Sequence, residues 1–552
     1  MRRSLGCAFC LTLARMRLTL SAPLNLLAGG PAMKSSGKFL SCLLLFLYST
    51  ALAQSAPTDL DAYVSRAMNT FEAPGIAVAI VKDGKVVFVK GYGVKKRGDP
   101  APVTENTLFG IGSNTKAFTA ATIASLVDEG KLQWDDKVSE KLPGFAMYDP
   151  YVSHELTVRD MLCHRSGLGL GEGDMLLWPR TTYTRAEIVQ RIRYMKPAYS
   201  FRSKYAYSNL MFIAAGELIA AASGKSWEQS VRERILVPLG MTTTNFSNSE
   251  LKPGVDFATP HSRSDGKMKA DDPENEDTIS SAGAINSSAA EMAKWAIVQL
   301  NHGQIGRGGK RIFSEKQSTE MWSPQTIVPA EDEVGPLAAL QTDFSAYGLG
   351  WGLRDYHGHK LVGHSGGLMG FLTRVLLVPD QKLGVIVLTN FDSSDGPMNA
   401  IAYHVIDHYL GVRGNDWIAA WKAADDKAQH DADGIMKRAA TARAENAQPA
   451  LPLASYAGTY QDAWYGPATI ALKDGKLTFT LDRSPGAAGE LLPWQRDTLK
   501  LHWNLEDAFV TFALKPDGSI DHFTMQAISP LADFSFDYQD FYFVPDHPKG
   551  HN

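Results

Sequence analysis

The sequence is short of several features that would assign a protein quickly. Cysteine is scarce: 4 occur in 552 residues. Cys7, Cys10 and Cys42 precede the cleavage point argued below, so Cys163 remains alone. A single thiol makes no internal disulfide, and the mature chain must draw its stability from a hydrophobic core. Positive charge is not in excess, since the formal net charge is −4. That excludes the basic footprint of a nucleic-acid-binding protein. Metal-ligand spacing is absent as well. His404 and His408 stand four apart on an expected helix, but Val405 occupies the place where H-E-x-x-H needs its Glu. His357 and His359 have no third ligand in view. No metal and no cofactor is expected. Long apolar runs are missing too: residues 39–48 are shorter than the roughly 20 residues that span a bilayer.

What that run does resemble is the core of a secretory signal. Lys34 and Lys38 precede it, and Ala51-Leu52-Ala53 follows as a small-x-small site. Residues 33–53 are therefore read as a signal peptide that starts at Met33. Residues 1–32 are read as a mis-called extension. Cys42 lies inside the run rather than after it, a poor fit to a lipid-anchored cysteine. The expectation is a periplasmic or secreted protein, cleaved near Ala53, with no stable membrane anchor afterwards.

Composition is that of a soluble globular protein, 44% hydrophobic and 21% charged, and the length calls for a large domain plus a smaller one. A helix is expected over 59–71. Segments 76–81 and 85–90 flank Asp83-Gly84, a hairpin signal because Gly tolerates the positive φ of a tight turn. From 115 to about 300 the pattern is mostly helical, including 116–129 with Gly130 just past its end. The acidic stretch 271–277 reads as a solvated loop. Segments 361–363, 373–378 and 384–389 read as successive antiparallel strands, with a helix over 398–410 after them. Strands at both ends with helices between imply one sheet assembled from the two termini.

Residues 413–450 read as a helical linker. From 451 the texture changes to hairpins at Asp474-Gly475 and Asp517-Gly518 among aromatic-rich strands. That is a separate all-β module over 451–546, a small barrel or sandwich.

Three short constellations carry chemistry. Ser113-Asn114-Thr115-Lys116 opens the helix over 116–129. Residues three apart share a helix face with about 5–6 Å between them, so the Lys ammonium can reach the Ser hydroxyl. Serine alone is a weak nucleophile and needs such a neighbour. The helix N-terminus adds free N–H groups and positive potential. Tyr207-Ser208-Asn209 precedes an apolar helix, 210–222. A nearby Lys charge would lower the phenol pKa of Tyr207 and make phenolate a feasible base, while Asn209 would orient Lys116 or hold a substrate amide. His364-Ser365-Gly366-Gly367 is expected at the end of a strand, where the glycines admit a substrate to the backbone. There His364 and Ser365 would bind a carboxylate or steer protons. Each piece alone has a bland reading: a capping Ser, a core Tyr, a Gly-rich turn.

Together, Ser113-x-x-Lys116, Tyr207-x-Asn209 and His364-Ser365-Gly366 resemble, in order and separation, the class C β-lactamases and penicillin-binding-protein-like serine hydrolases. Further segments match: Leu162-Cys163-His164-Arg165-Ser166-Gly167-Leu168, Pro238-Leu239-Gly240-Met241, Ala282-Gly283-Ala284 and Tyr347-Gly348-Leu349-Gly350-Trp351. The resemblance covers residues 57–412, and the tail resembles the β-barrel-like accessory domain of some of these enzymes. It implies an α+β fold, a β-lactamase/transpeptidase-like antiparallel sheet flanked by helices, with a helical subdomain and a C-terminal all-β barrel-like domain. It implies an acyl-enzyme cycle with Ser113 as nucleophile, Lys116 and Tyr207 as proton relay, and the N–H groups of Ser113 and Gly367 as oxyanion hole. Asn209, His364, Ser365, Gly366 and Gly367 would bind a small-molecule or peptide substrate.

Two departures matter. His364-Ser365-Gly366 stands where class C β-lactamases carry Lys-Thr-Gly, and Gly171 stands where they carry a substrate-binding Gln. Loss of the Lys removes a fixed charge for a β-lactam carboxylate, which favours esters and D-amino-acid amides or peptides over β-lactams. Two alternatives stay open: a covalent, slowly deacylating sensor, and an α/β-hydrolase in which Gly363-His364-Ser365-Gly366-Gly367 is the nucleophile elbow with Ser365 as nucleophile. The β module would either cap or dimerise the hydrolase, or narrow its cleft. Oligomeric state is open.

Overall fold

The Asp83-Gly84 hairpin starts the main sheet. In the computed structural model, which describes residues 55–546 apart from 265, 274–276, 307, 331–334, 442–447 and 504, both turn residues take positive φ, 51° and 74°. That conformation matches the twist of the strands it joins. Residues 1–54, on which the expected extension and signal peptide fall with Met33, Ala53, Cys7, Cys10 and Cys42, lie outside the described residues, as does part of 271–277.

The hairpin follows helix α1 (Leu60–Phe71) and consists of β1 (Gly75–Lys82) and β2 (Lys85–Gly93). Its sequence Ile-Ala-Val-Ala-Ile-Val is apolar throughout, and β1 is buried on both faces. Because side chains alternate along a strand, Ile76, Val78 and Ile80 enter one hydrophobic cluster, and Ala77, Ala79 and Val81 enter the other.

Between the hairpin and the remaining strands lies the helical insertion. Its centre is α2 (Thr115–Asp128) packed against α3 (Asn209–Ser223). The α3 sequence is apolar on all sides, so it can only be an interior helix; it stops at Gly224, where φ is 71°. Helix α4 (Ala289–Leu300) then lies against β1. Strands β3 (Thr326–Ile327), β4 (Ser345–Tyr347), β5 (Gly352–Tyr356), β6 (His359–Leu368), β7 (Phe371–Val378) and β8 (Leu383–Thr389) complete an eight-stranded sheet in the order β2-β1-β8-β7-β6-β5-β4-β3. Strand β1 pairs antiparallel with β8, from Ile76↔Thr389 to Lys82↔Leu383, so the two ends of the domain meet inside one sheet.

Helix α5 (Gly396–Leu410) covers β8 and packs on α1. Helix α6 (Trp417–Thr441) follows, anchored where Trp417 Nε1 donates to the buried Asp407 at 2.8 Å. The strands from Gly458–Asp462 to Tyr542–Pro545 then form a closed eight-stranded barrel. Their alternation is plain in Lys476–Leu481, where Leu477, Phe479 and Leu481 are buried. The barrel docks on the helical insertion: Arg483 O accepts Thr182 N–H at 2.7 Å, and Trp464 Nε1 donates to Tyr194 O at 2.8 Å. Among the described residues no helix is long and apolar enough to cross a membrane.

Candidate active site

Ser113 is placed by a tight backbone passage. The short strand Phe109–Gly110 pairs with Asn286–Ser287, and Gly112, at φ 53°, turns the chain into a single 3₁₀ turn that runs on into α2. Ser113 thus stands at the helix N-terminus. One turn later Lys116 is fully buried, an expensive place for an ammonium group. Its Nζ lies 2.9 Å from Ser113 Oγ, 2.6 Å from Asn209 Oδ1 and 2.8 Å from the Ala282 carbonyl. Burial lowers its pKa to about 7, against an opposing pull from Asp174. The neutral amine has two N–H donors and one lone pair. Asn209 Oδ1 and Ala282 O accept the two donors, and the lone pair is left for the Ser113 hydroxyl.

Tyr207 is half-buried beside Ser113, with its ring 4.8 Å from the Lys116 Nζ. The expected lowering of its pKa does not occur. Burial pushes the phenol well above the ordinary tyrosine value, because expelling water penalises phenolate more than the Ser113 hydroxyl favours it, and Asp174 and Asp533 push it the same way. Lys116 is therefore the group whose proton affinity falls near neutrality, and Tyr207 is a protonated hydroxyl beside the nucleophile. Under its ring lies His164, at a centroid distance of 4.3 Å, fully buried, kept neutral by burial, and accepting Ser208 N–H at 3.0 Å.

The motif His364-Ser365-Gly366-Gly367 does not end a strand as expected; it lies inside β6, which continues to Leu368. Nor is His364 a cation for a carboxylate. Its Nδ1 donates to Ser365 O at 2.5 Å and its Nε2 accepts the Tyr347 hydroxyl at 2.8 Å, while burial and the Lys116 charge push its pKa down to about 3. Gly366 is required by packing, since a Cβ there would sit 1.9 Å from Ile111 O. Gly367 has no such constraint, its nearest Cβ neighbour being Leu372 at 3.5 Å, and it is exposed. A Cβ on Gly112 would lie 2.7 Å from Gly367 N, so the Gly367 amide passes directly beside the residue preceding Ser113.

The elbow reading of Ser365 fails on topology. An elbow needs a strand, a sharp turn and a helix, whereas β6 turns back into antiparallel β7 with Ser365 opposite Arg374.

Several residues that build the site were not assigned roles from sequence. Ala282 holds Lys116 through its carbonyl and Tyr347 holds His364 through its hydroxyl, both from segments noted only as family landmarks. Asp174 is fully buried and accepts Asn209 Nδ2 at 2.8 Å; the signal was a pair of acidic residues, Glu172 and Asp174, before the apolar run Met175-Leu176-Leu177. Gly171 also gains a reason. It has φ 68°, and a Cβ there would lie 2.5 Å from Phe534 O of the barrel domain. A glutamine at that position would collide with the barrel loop.

A cleft of about 880 Å³ opens at the strand end that follows Gly367, lined by Leu368, Met369 and Phe371 and by the charged Arg180, Lys269 and Asp271. Among the described residues no three His, Cys, Asp or Glu side chains converge as metal ligands.

A family model described as β-lactamase matches residues 60–410. The chain belongs to the β-lactamase family. A second model, described as a domain of unknown function, matches 442–545. As a β-lactamase-family serine hydrolase, the chain is 31% identical over 451 residues to a protein of Aspergillus campestris named unguisins hydrolase, covering 77% of this chain and 79% of that one. It is 27% identical to penicillin-binding protein 4 of Amycolatopsis lactamdurans, covering 62% of this chain and 87% of that one. Among solved structures, the octameric penicillin-binding protein homologue of Pyrococcus abyssi matches with a TM-score of 0.57 at 24% identity, over 88% of this chain and 99% of that one. The D-amino acid amidase of Ochrobactrum anthropi matches with a TM-score of 0.51 at 22% identity, over 64% of this chain and 98% of that one. Both share the fold of this β-lactamase-family chain.

Proposed function

We propose that the chain is an exported acyl-enzyme hydrolase of amide and ester bonds, acting on D-amino-acid amides, peptides or esters in preference to β-lactams. The observation that carries the chemistry is the buried Lys116 amine, 2.9 Å from Ser113 Oγ with its other two neighbours both acceptors. Ser113 Oγ attacks the substrate carbonyl as its proton passes to Lys116 Nζ. The Oγ–C bond forms, and negative charge gathers on the oxygen facing the N–H groups of Ser113 and Gly367. One such donor is worth about 10²–10³ in rate. The tetrahedral species collapses with loss of the amine or alcohol, which takes its proton from Lys116 through the Tyr207 hydroxyl. Water then attacks the acyl carbonyl, losing its proton to the Lys116 amine; the Oγ–C bond breaks, Ser113 Oγ takes that proton back, and the acid leaves.

The substrate preference rests on the missing cation. A neutral, doubly bonded His364 presents no fixed charge to a β-lactam carboxylate. A relative named as an unguisins hydrolase supports hydrolysis, and a fold neighbour named as a D-amino acid amidase supports the amide preference. Export rests on the signal-like order of residues 33–53, and the partner expected is a small-molecule or peptide substrate, not nucleic acid.

Intact-mass spectrometry after exposure to a fluorophosphonate tests the nucleophile. Labelling should disappear in Ser113→Ala and persist in Ser365→Ala; the reverse pattern would sink the assignment. Turnover of D-amino-acid amides should exceed turnover of a chromogenic cephalosporin, and a dominant cephalosporinase activity would overturn the substrate preference.

A further inference from the structure

The hydrogen-bond chain behind Lys116 does not stop within the hydrolase domain. Asn209 presents Oδ1 to Lys116 and Nδ2 to Asp174. An amide can turn over and exchange these two ends. The flipped form would aim N–H donors at Lys116, and the amine lone pair would then be spent on Asn209 rather than on the Ser113 hydroxyl. Asp174, an acceptor at 2.8 Å, selects the productive form.

Asp174 is in turn held from the barrel. It belongs to the turn Gly173–Met175, and the N–H groups on either side of it both go to the Asp537 carboxylate, at 2.6 Å from Gly173 and 3.1 Å from Met175. Asp537 is fully buried, lies between the last two barrel strands, and also accepts the hydroxyl of Tyr465, a second barrel residue. Burying carboxylates in such a place is costly unless the hydrogen bonds are made, and simple docking of two domains does not call for it.

We propose that the barrel completes the catalytic base. Asp537 fixes the Gly173–Met175 turn, and Asp174 fixes the Asn209 amide so that its oxygen faces Lys116. Asp174 and Asp537 are positioning residues that act through Asn209, and the inference rests on Ser113 and Lys116 being the reacting pair.

The test is the kinetics of fluorophosphonate labelling of the full chain, with kinact and KI measured separately on folded protein. Asp174→Leu and Asp537→Ala should each lower kinact by about tenfold or more with KI within about twofold, and the double variant should be little worse than the poorer single, since both act through one chain. Asp174→Asn keeps an acceptor for Asn209 and should restore kinact to within about threefold of wild type. Wild-type kinact in folded Asp174→Leu and Asp537→Ala, or strictly additive losses, would overturn the proposal. If Asp537→Ala does not fold, Tyr465→Phe removes a single hydroxyl: a threefold or larger fall in kinact supports the coupling (about that of a weakened positioning bond), and no change overturns it. Ser113→Ala run alongside separates the two failures. Labelling that survives it defeats the nucleophile assignment, whereas Ser113-dependent labelling indifferent to Asp174 and Asp537 defeats only the relay.

Discussion

Lys116 and Lys427 carry the same ammonium group on helices of one chain, and the regions around them use it in opposite ways. Lys427 on α6 is 72% exposed and meets Asp431 one turn later, at 2.5 Å; Lys422 and Asp426 repeat the arrangement. These charges stay hydrated, and such pairs are worth about 0.3–0.5 kcal/mol each. Only Trp417, Ile418 and Ala432 of that helix are buried. Around Lys116 the neighbours are Phe212, Tyr207 and two acceptor oxygens, and water is gone. The same group there loses proton affinity until its pKa is about 7. The difference teaches that a lysine becomes a base through its surroundings. Charge on a helix face is a matter of solubility, and charge in the core is a matter of chemistry.

Breaking the buried side of that contrast should have the largest effect. Lys116→Ala is expected to lower the acylation rate by about 10³–10⁴, read by stopped-flow labelling, with a folded protein by circular dichroism. Next comes Asp160, whose fully buried carboxylate holds Arg165 Nε at 2.6 Å and Arg202 at 2.7 Å. Arg165 follows His164 in the chain and Arg202 shortly precedes Tyr207, so Asp160 ties the two loops that form this wall of the site. Asp160→Ala should cost about 3–5 kcal/mol of stability, since it strands partly buried cations, and denaturant unfolding measures it.

The pH dependence sharpens the comparison more gently. With the Lys116 pKa lowered to about 7, the amine is protonated below that value and has no lone pair. Acylation should fall about tenfold per pH unit beneath it and level off above. A profile flat from pH 5 to 9 would contradict the role of Lys116. Lys427→Ala should change neither rate nor profile and should shift stability by no more than about 0.5 kcal/mol.

Much of the fold was legible from local pattern. Asp83-Gly84 announced its hairpin through φ, and the all-round apolar run of α3 could only be interior. The strands at 361–363, 373–378 and 384–389 were found near their places, and the barrel was visible in its Asp-Gly turns. The site was legible as residue types in order. The misread features are the place of His364, inside its strand rather than at its end, and the phenol of Tyr207, whose behaviour depends on desolvation. Sequence order brought Lys116 near Tyr207, but it could not say that desolvation would hold the phenol protonated.

Sequence alone therefore determined the parts: an i, i+3 Ser–Lys pair at a helix start, a Tyr and Asn before an apolar helix, and a His-Ser-Gly-Gly run beside a strand. Those follow from local geometry, which reaches only a few residues along the chain. Tertiary structure decided which of the parts are charged, which face each other, and that Asp537, 364 residues beyond Gly173, stands behind the catalytic lysine. Desolvation and long-range hydrogen bonds exist only once the chain has closed around them.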